Sequence, residues 1–428
     1  MNNYGLNKYV FEVGYDKENS ILYNSINRAT VLLEREKLQD GVIRGSEGEL
    51  DELRRLGFFL SDVEAISHIQ NTYNNFYSNR LEIIIELTEK CNMDCVYCYQ
   101  SQWNKNSNIS SATIDKTIKY IENCFKTGEY SGLQFYFFGG EPLLQKRKIL
   151  EIYKKAKSIC ENHNALIWIH IDTNGVLLAP EFIEEFDNLR VAVSLTLQVD
   201  HDKKRLTRGN KANYIAIERN IVSCNRIFIN DSRKELIIRY NSDSTNKKYL
   251  PEFFGHMKNL GIKYTPKIAY THEHKYNHYK NGMSYDEFKL WNSSQVIDLS
   301  IEHGLNVLQS PSLLKTPCRA YYRHNIKIFA DGRVGLCNGD FTGRKCLKIN
   351  DIYTNPNKLL ELAQEKNMSP FNNDTCISCR EIAICGGKHF CRDNPCNYGT
   401  VDLEIFLRTY VKQTLLGNQH YFRGFFQE

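Results

Sequence analysis

Proline is scarce in this chain, nine among 428 residues, and no segment is low in complexity or repeats itself beyond an alternation of strand-like and helix-like stretches. That excludes a Pro-rich linker protein and leaves an ordinary globular chain. Neither sign of charge dominates. The net charge is +5, with basic residues interspersed among acidic ones, so there is no basic stripe for a nucleic acid and a mixed solvated surface is expected. No apolar run approaches the length that crosses a bilayer. The opening Met1-Asn2-Asn3-Tyr4-Gly5 lacks the basic-then-apolar pattern of a secretory signal. A cytoplasmic protein is therefore expected, with no membrane partner, and its 14 cysteines are not a disulfide framework.

What is present is large and aromatic. The length suggests two or three domains, and 26 Tyr with 22 Phe suit large cores and a cleft that grips a peptide. The cysteines are clustered: Cys91, Cys95 and Cys98 lie in one loop, and eight more fall between Cys318 and Cys396. Cys124, Cys160 and Cys224 stand alone in helical-looking segments and read as small buried side chains.

Strand-like runs recur at residues 81–87, 133–138, 165–171, 191–197, 236–240 and 262–269. Helical segments include residues 111–125, capped by Ser110 or Ser111, and 147–160. Repeated βα units predict a parallel sheet with helices outside, curling into a partial barrel, with chemistry at the strand C-terminal ends. Residues 1–80 read differently: a hairpin of 9–13 and 21–24 around Asp16-Lys17-Glu18-Asn19, helical segments at 29–36 and 47–56, and a short strand at 57–60. A small sheet of this kind either binds a peptide at its edge or simply covers the barrel opening. A helical tail is expected over 402–416.

Just past the first strand, Cys91-Asn92-Met93-Asp94-Cys95-Val96-Tyr97-Cys98 sets three thiols in one loop. That arrangement suits a cubic iron–sulfur cluster held by three thiolates, with its fourth iron left open to a small molecule. After the second strand, Gly139-Gly140-Glu141 offers close backbone approach beside a carboxylate that can hold an ammonium group. Asp243 and Glu235 flank the fifth strand as candidate bases between which the sequence does not choose. His272-Glu273-His274 with His278 reads either as a metal site or as a polar loop. Paired cysteines such as Cys376 and Cys379 also suit structural zinc.

The C-x3-C-x2-C spacing, with Tyr97 before the last cysteine and Gly139-Gly140-Glu141 one βα unit later, resembles the radical SAM enzymes. The resemblance covers residues 80–400. It implies that Cys91, Cys95 and Cys98 hold a [4Fe-4S] cluster and that S-adenosyl-L-methionine (SAM) is bound by Tyr97, Gly139, Gly140, Glu141, Asn174, Ser194 and Arg205. The chain departs from that family at Thr196-Leu197-Gln198, where many relatives carry Asp-Gly-Pro. The C-terminal cysteines resemble the SPASM extension, which houses two auxiliary [4Fe-4S] clusters. It implies that Cys318, Cys337, Cys346, Cys376, Cys379, Cys385, Cys391 and Cys396 are their ligands; a grouping of Cys318, Cys337, Cys346 and Cys391 on one cluster and Cys376, Cys379, Cys385 and Cys396 on the other is one partition, which the sequence does not fix. Five residues separate Cys385 from Cys391 where relatives usually have three.

The fold so implied is α/β: a partial (β/α)6 TIM-like radical SAM barrel over 81–305, an N-terminal α+β domain over 1–80 resembling leader-peptide-binding modules, and a cysteine-rich SPASM domain over 306–428. The implied function is reductive cleavage of SAM to a 5′-deoxyadenosyl radical and oxidative modification of a ribosomally synthesised peptide, forming an intramolecular cross-link. The partners implied are a precursor peptide with its leader and a flavodoxin- or ferredoxin-like electron donor. A formylglycine-forming enzyme of the anaerobic sulfatase-maturating type is the alternative. A non-catalytic iron–sulfur or zinc protein is the alternative of another class.

Overall fold

The computed structural model describes residues 2–75, 79–100, 107–262, 266–271, 279–307, 325–336, 346–355, 357–365, 370–385 and 402–422. The chain forms two compact units. One comprises Tyr77–Tyr285 with Arg319–Lys366; the other comprises Met1–Phe76, Asp286–Cys318 and Asn367–Glu428.

The larger unit is built on one nine-stranded sheet. Its parallel strands are Arg80–Glu86, Gly132–Phe138, Leu166–Thr173, Leu189–Ser194, Lys234–Ser242 and Lys267–Tyr270, paired in that order. These are the six strands expected, the last shifted towards its C-terminal end. Beyond the first strand the sheet continues through Asn325–Ile328, which is parallel to it, and then Arg333–Gly335 and Leu347–Lys348, both antiparallel. Helices Ser111–Lys126, Lys146–Asn162, Tyr214–Asn230 and Leu250–Asn259 link successive strands. Ser110 caps the first of them by accepting from Thr113 N–H at 3.1 Å, as its position suggested.

Burial alternates along the middle strands. Phe135, Phe137, Ile169, Ile171, Leu236 and Ile238 are buried, whereas their neighbours Tyr136, His170, Asp172, Ile237 and Arg239 are half-buried. One face of the sheet is therefore an apolar core and the other a polar wall that remains accessible. Cys124, Cys160 and Cys224 are buried in helices of this unit, each thiol raised by burial.

In the smaller unit Val10–Gly14 and Asn19–Asn24 form the expected hairpin, its turn fastened by Asp16 accepting from the N–H groups of Glu18 and Asn19. Two expectations fail here. Residues 29–36 are not helical: Thr30–Glu34 is a third strand, followed by a single 3-10 turn at Arg35–Lys37. The reason is period: Val31 and Leu33 pack on the core while Leu32 and Glu34 are exposed. Residues 57–60 are a turn rather than a strand. Gly57, at φ +73°, follows the helix Glu47–Arg55, and its carbonyl takes the side-chain amides of Asn7 and Asn24. The helix Asp62–Asn75 was not anticipated, although Ser61 and Glu64 form the reciprocal bonds of a capping box at its start.

The same unit contains the tail helix Leu403–Leu415, capped by Asp402. Its Phe406, Leu407, Tyr410 and Val411 share one core with Phe11, Val13, Ile21 and Tyr23 of the hairpin. Among the described residues no helix is long and apolar enough to cross a membrane.

Candidate functional site

The first parallel strand ends at Glu86, and the cysteine loop that follows is fixed by backbone bonding. Met93–Cys95 pairs antiparallel with Arg205–Thr207, placing Cys95 opposite Arg205. Cys98 N–H donates to Cys95 C=O at 3.0 Å, and Val96 N–H to Lys204 C=O at 3.0 Å. None of the three thiols is in a disulfide, and all are half-buried. Burial pushes Cys91 up to about 11, and raises Cys95 despite the nearby Arg205.

The second strand delivers Gly139-Gly140-Glu141 against this loop. Gly140 N–H donates to Thr88 C=O at 2.9 Å and Glu141 N–H to Lys90 C=O at 2.8 Å. The glycines are demanded by backbone packing. A Cβ on Gly140 would stand 2.1 Å from the Lys90 carbonyl oxygen, and one on Gly139 (φ +133°) 2.5 Å from that of Thr88. The Glu141 carboxylate is buried and accepts from Leu143 N–H at 2.9 Å, Thr173 Oγ1 at 2.7 Å and Asn174 N–H at 2.7 Å. It thus ties the second strand's end to the third's.

Asn174 is brought into the same constellation. Its Nδ2 donates to Asn92 Oδ1 at 2.7 Å and lies 3.8 Å from Cys91 Sγ. Arg205 is buried; its Nη1 donates to the Tyr97 hydroxyl at 3.0 Å, which also accepts from Asn241 Nδ2 at 3.1 Å. Arg205 Nε is buried with no hydrogen-bond partner. Ser194 ends the fourth strand, in register with Arg239 on the fifth. Every residue proposed from the sequence for this centre thus lies in the loops and strand ends at one end of the sheet. Asn174 and Glu141 join the Cys91 side, while Arg205 and Tyr97 join the Cys95 side.

The two candidate bases fare differently. Glu235 is at the start of the fifth strand, half-buried and paired with Arg190 at 2.5 Å. Asp243 is buried among Lys204 Nζ at 2.5 Å, Tyr279 Oη at 2.8 Å and the Thr245 hydroxyl at 2.7 Å. Burial alone would raise Asp243, but Lys204, Thr245 and Tyr279 hold it below the ordinary carboxylate range. Lys204 also pairs with Asp200 at 2.5 Å. A cavity of about 500 Å³ opens here, beside Val96 and lined in part by Lys203, Lys204, Tyr249 and Tyr279.

Sequence reasoning missed the polar wall. Tyr136 donates to Asp172 Oδ2, His170 Nε2 is 3.2 Å from Asp172 Oδ1, and Arg239 Nη1 is 3.4 Å from Oδ2. Buried Lys327 lies 3.4 Å from Glu86. The signal was available: Tyr136, His170, Asp172 and Arg239 are polar at alternate positions of apolar strands.

Of the auxiliary cysteines, Cys346 is half-buried just before Leu347–Lys348, Cys376 is buried and Cys379 half-buried. Cys376 N–H is capped by Asn373 Oδ1 at 3.2 Å, and Cys379 N–H donates to Cys376 C=O at 3.1 Å. Cys385 ends the short helix Ile382–Cys385. Cys318, Cys337, Cys391 and Cys396 lie outside the described residues, as do His272, His274 and His278. Among the described residues no three His, Cys, Asp or Glu side chains converge as they would around one metal ion. A four-iron cube spaces its thiolates more widely than a single ion does.

Residues 85–238 match the model of the Radical SAM superfamily. Among curated proteins, the GTP 3′,8-cyclase of Clostridium perfringens (strain SM101 / Type A) is 30% identical over 164 residues, 36% of this chain and 48% of that protein. The cysteine-type anaerobic sulfatase-maturating enzyme of Clostridium novyi (strain NT) is 28% identical over 154 residues, 34% of this chain and 40% of that protein. The chain therefore spans less than half the length of either. Similar folds include anSMEcpe with bound AdoMet and Kp18Cys peptide, at a TM-score of 0.56 and 17% identity, covering 80% of this chain and 98% of that one. Streptococcus suis SuiB bound to precursor peptide SuiA gives a TM-score of 0.51 at 16% identity, covering 89% and 94%.

Proposed function

We propose, from the premise that this chain carries a radical SAM domain, that it oxidatively modifies a ribosomally synthesised peptide and closes an intramolecular cross-link. The observation that carries this reading is the gathering of three thiols outside any disulfide, the glycine–carboxylate turn and the Tyr97–Arg205 pair at one end of a parallel sheet whose open face is polar.

The residues present fit the implied groups. Cys91, Cys95 and Cys98 have no disulfide partner, and the raised affinity of Cys91 and Cys95 for protons is what a bound iron–sulfur cluster would overcome by its positive charge. The buried, unpartnered Nε of Arg205 suits an anionic or hydroxyl-bearing ligand. Gly139, Gly140, Glu141, Asn174, Ser194 and Tyr97 would complete the SAM site, and Glu141 keeps lone pairs for an ammonium group. When bound, the cluster and SAM together supply a carbon-centred radical able to remove hydrogen from an unactivated carbon. The chain's own contribution is orientation: Glu141 locks Asn174 against the cysteine loop, and Arg205 holds Tyr97 in place. The auxiliary cysteines Cys318, Cys337, Cys346, Cys376, Cys379, Cys385, Cys391 and Cys396 would hold two further clusters that accept an electron from the substrate.

A peptide substrate is supported by the likeness in fold to SuiB and anSMEcpe, both described with peptides bound, and by the N-terminal sheet. That sheet has an edge at Thr30–Glu34, where Leu32 is exposed, onto which a leader would add as a further strand. Similarity to the sulfatase-maturating enzyme favours the second reading, formylglycine formation, which asks nothing of that edge.

The test uses anaerobically reconstituted full-length protein, a candidate precursor peptide and, separately, a cysteine-containing sulfatase peptide. A product lighter by two hydrogens from the precursor, with KM raised at least about tenfold by Leu32→Asp while kcat is kept, supports the cross-linking reading. Formylglycine formation indifferent to Leu32 supports the other.

A further inference from the structure

Three buried ionisable groups beside the cysteine loop take no part in the chemistry described above. Lys204 ends the helix Gln198–Lys204, and its ammonium sits between Asp200 and Asp243, 2.5 Å from a carboxylate oxygen of each. It also donates to the Thr245 hydroxyl at 2.8 Å. All three charged residues are buried. Such a group adds little stability, because desolvation offsets most of the attraction, yet in a medium of low dielectric its geometry is stiff.

On one side the group is anchored to the end of the fifth strand. Asp243 Oδ1 accepts from Thr245 N–H at 2.8 Å, the Thr245 hydroxyl at 2.7 Å and Asn246 N–H at 3.0 Å, which closes a tight turn. Its Oδ2 takes Lys204 and the Tyr279 hydroxyl. Both oxygens are engaged, which suits an anchor rather than a base. Asn246 Nδ2 donates to Asp200 Oδ2 at 2.9 Å, so the same turn also holds the second carboxylate.

On the other side the group bears on the cysteine loop. Lys204 C=O accepts from Val96 N–H at 3.0 Å, and the chain then runs directly into Arg205–Thr207, the strand paired with Met93–Cys95. Arg205 C=O accepts from Asn213 Nδ2 at 2.5 Å, and its guanidinium donates to the Tyr97 hydroxyl. Asn241, two residues before Asp243, donates to that same hydroxyl. The fifth strand therefore reaches the stretch Cys95–Cys98 twice, once through Asn241 and Tyr97 and once through Asp243 and Lys204.

Resting on the radical reading above, we propose that Lys204 is a positioning residue for the SAM site. Its ammonium, clamped by Asp200 and Asp243, fixes the backbone that carries Arg205 and that holds Val96 beside Cys95. It acts through its own carbonyl and through the residue that follows it.

Lys204→Met alone would strand two buried carboxylates and is expected to destabilise the fold severely. The test therefore combines Asp200→Asn, Lys204→Met and Asp243→Asn in the full-length, anaerobically reconstituted protein. This neutral set is expected to keep its Tm within about 4 °C of the wild type. Its equilibrium affinity for SAM is expected to fall at least about tenfold, because Arg205 is no longer held in place. The control is Glu218→Gln, which alters the shared partner of Tyr214 and His256 in the same unit; it is expected to lower Tm and leave SAM affinity alone. Wild-type SAM affinity in the neutral set overturns the assignment. So does failure of that set to fold, or a loss of affinity no greater than Glu218→Gln gives for the same fall in Tm, since either makes the group merely structural. Iron-loaded wild-type protein that does not bind SAM would instead overturn the radical reading itself.

Discussion

The two described cysteine turns are anchored by different means. Cys91–Cys98 is held by main chain: a strand pair with Arg205–Thr207 and two bonds from the Gly-Gly-Glu turn, with side chains only completing the lock. Cys376–Cys379 is a single helical turn hung from the N-terminal hairpin by side chains. Tyr9 Oη and Lys8 Nζ donate to Ile377 C=O at 3.3 and 3.4 Å, while Arg380 donates to Val10 C=O at 3.0 Å and covers the Phe11 ring. Backbone anchoring tolerates almost no change in shape. Side-chain anchoring is softer, and it couples the second turn to the hairpin on which it rests.

The largest effect should come from Gly140→Ala. The added carbon would meet the Lys90 carbonyl at 2.1 Å, so the turn must leave the cysteine loop. Iron retention at that loop should fall, and SAM cleavage should drop by about 100-fold or more, measured as 5′-deoxyadenosine per iron. Retention of full cleavage would break the contrast. Next comes Arg205→Leu, which removes the partner of Tyr97 and the unpaired Nε; SAM affinity should weaken by at least about tenfold in equilibrium binding.

A third effect is set by pH. His201 is fully buried, its ring bonded to Asn213 Oδ1, and burial together with Arg205 lowers its pKa to about 3. Because the folded value lies below the unfolded 6.5, the stability it contributes is whole above about pH 6.5 and drains away as pH falls towards 3. Between pH 6.5 and 5 that is about 2 kcal/mol. His201→Gln should flatten this part of the profile of Tm against pH, and an unchanged slope would contradict the assignment. The smallest effect is Arg380→Ala, expected to cost about 1 kcal/mol in chemical denaturation and to leave SAM cleavage alone. A loss larger than that of Gly140→Ala would invert the comparison.

The sequence revealed most where pattern and chemistry coincide. Six strands, the Ser110 cap and the meeting of Cys91, Cys95, Cys98, Glu141 and Asn174 could all be read from periodicity and from a motif that resembles a known family. Residues 29–36 were misread because Leu32, Leu33 and Glu34 suit a helix in composition, whereas Thr30-Val31 and the alternation that follows favour a strand beside Asn19–Asn24. The Asp172 cluster went unread for a different reason: alternation marks its members as polar-face residues but does not say that they meet. Its members come from three strands, and their meeting depends on the pairing of the sheet and on the small side chain of Ala192. The joint core of the hairpin and the tail helix was hidden likewise, since nothing local links Phe11 to Phe406.

The most direct test of the account compares Cys95→Ala with Cys379→Ala, both reconstituted anaerobically, counting iron and 5′-deoxyadenosine after reduction with SAM present. The account predicts that Cys95→Ala loses about four irons per chain and all SAM cleavage, while Cys379→Ala still cleaves SAM. Cleavage by Cys95→Ala at the wild-type rate would contradict it.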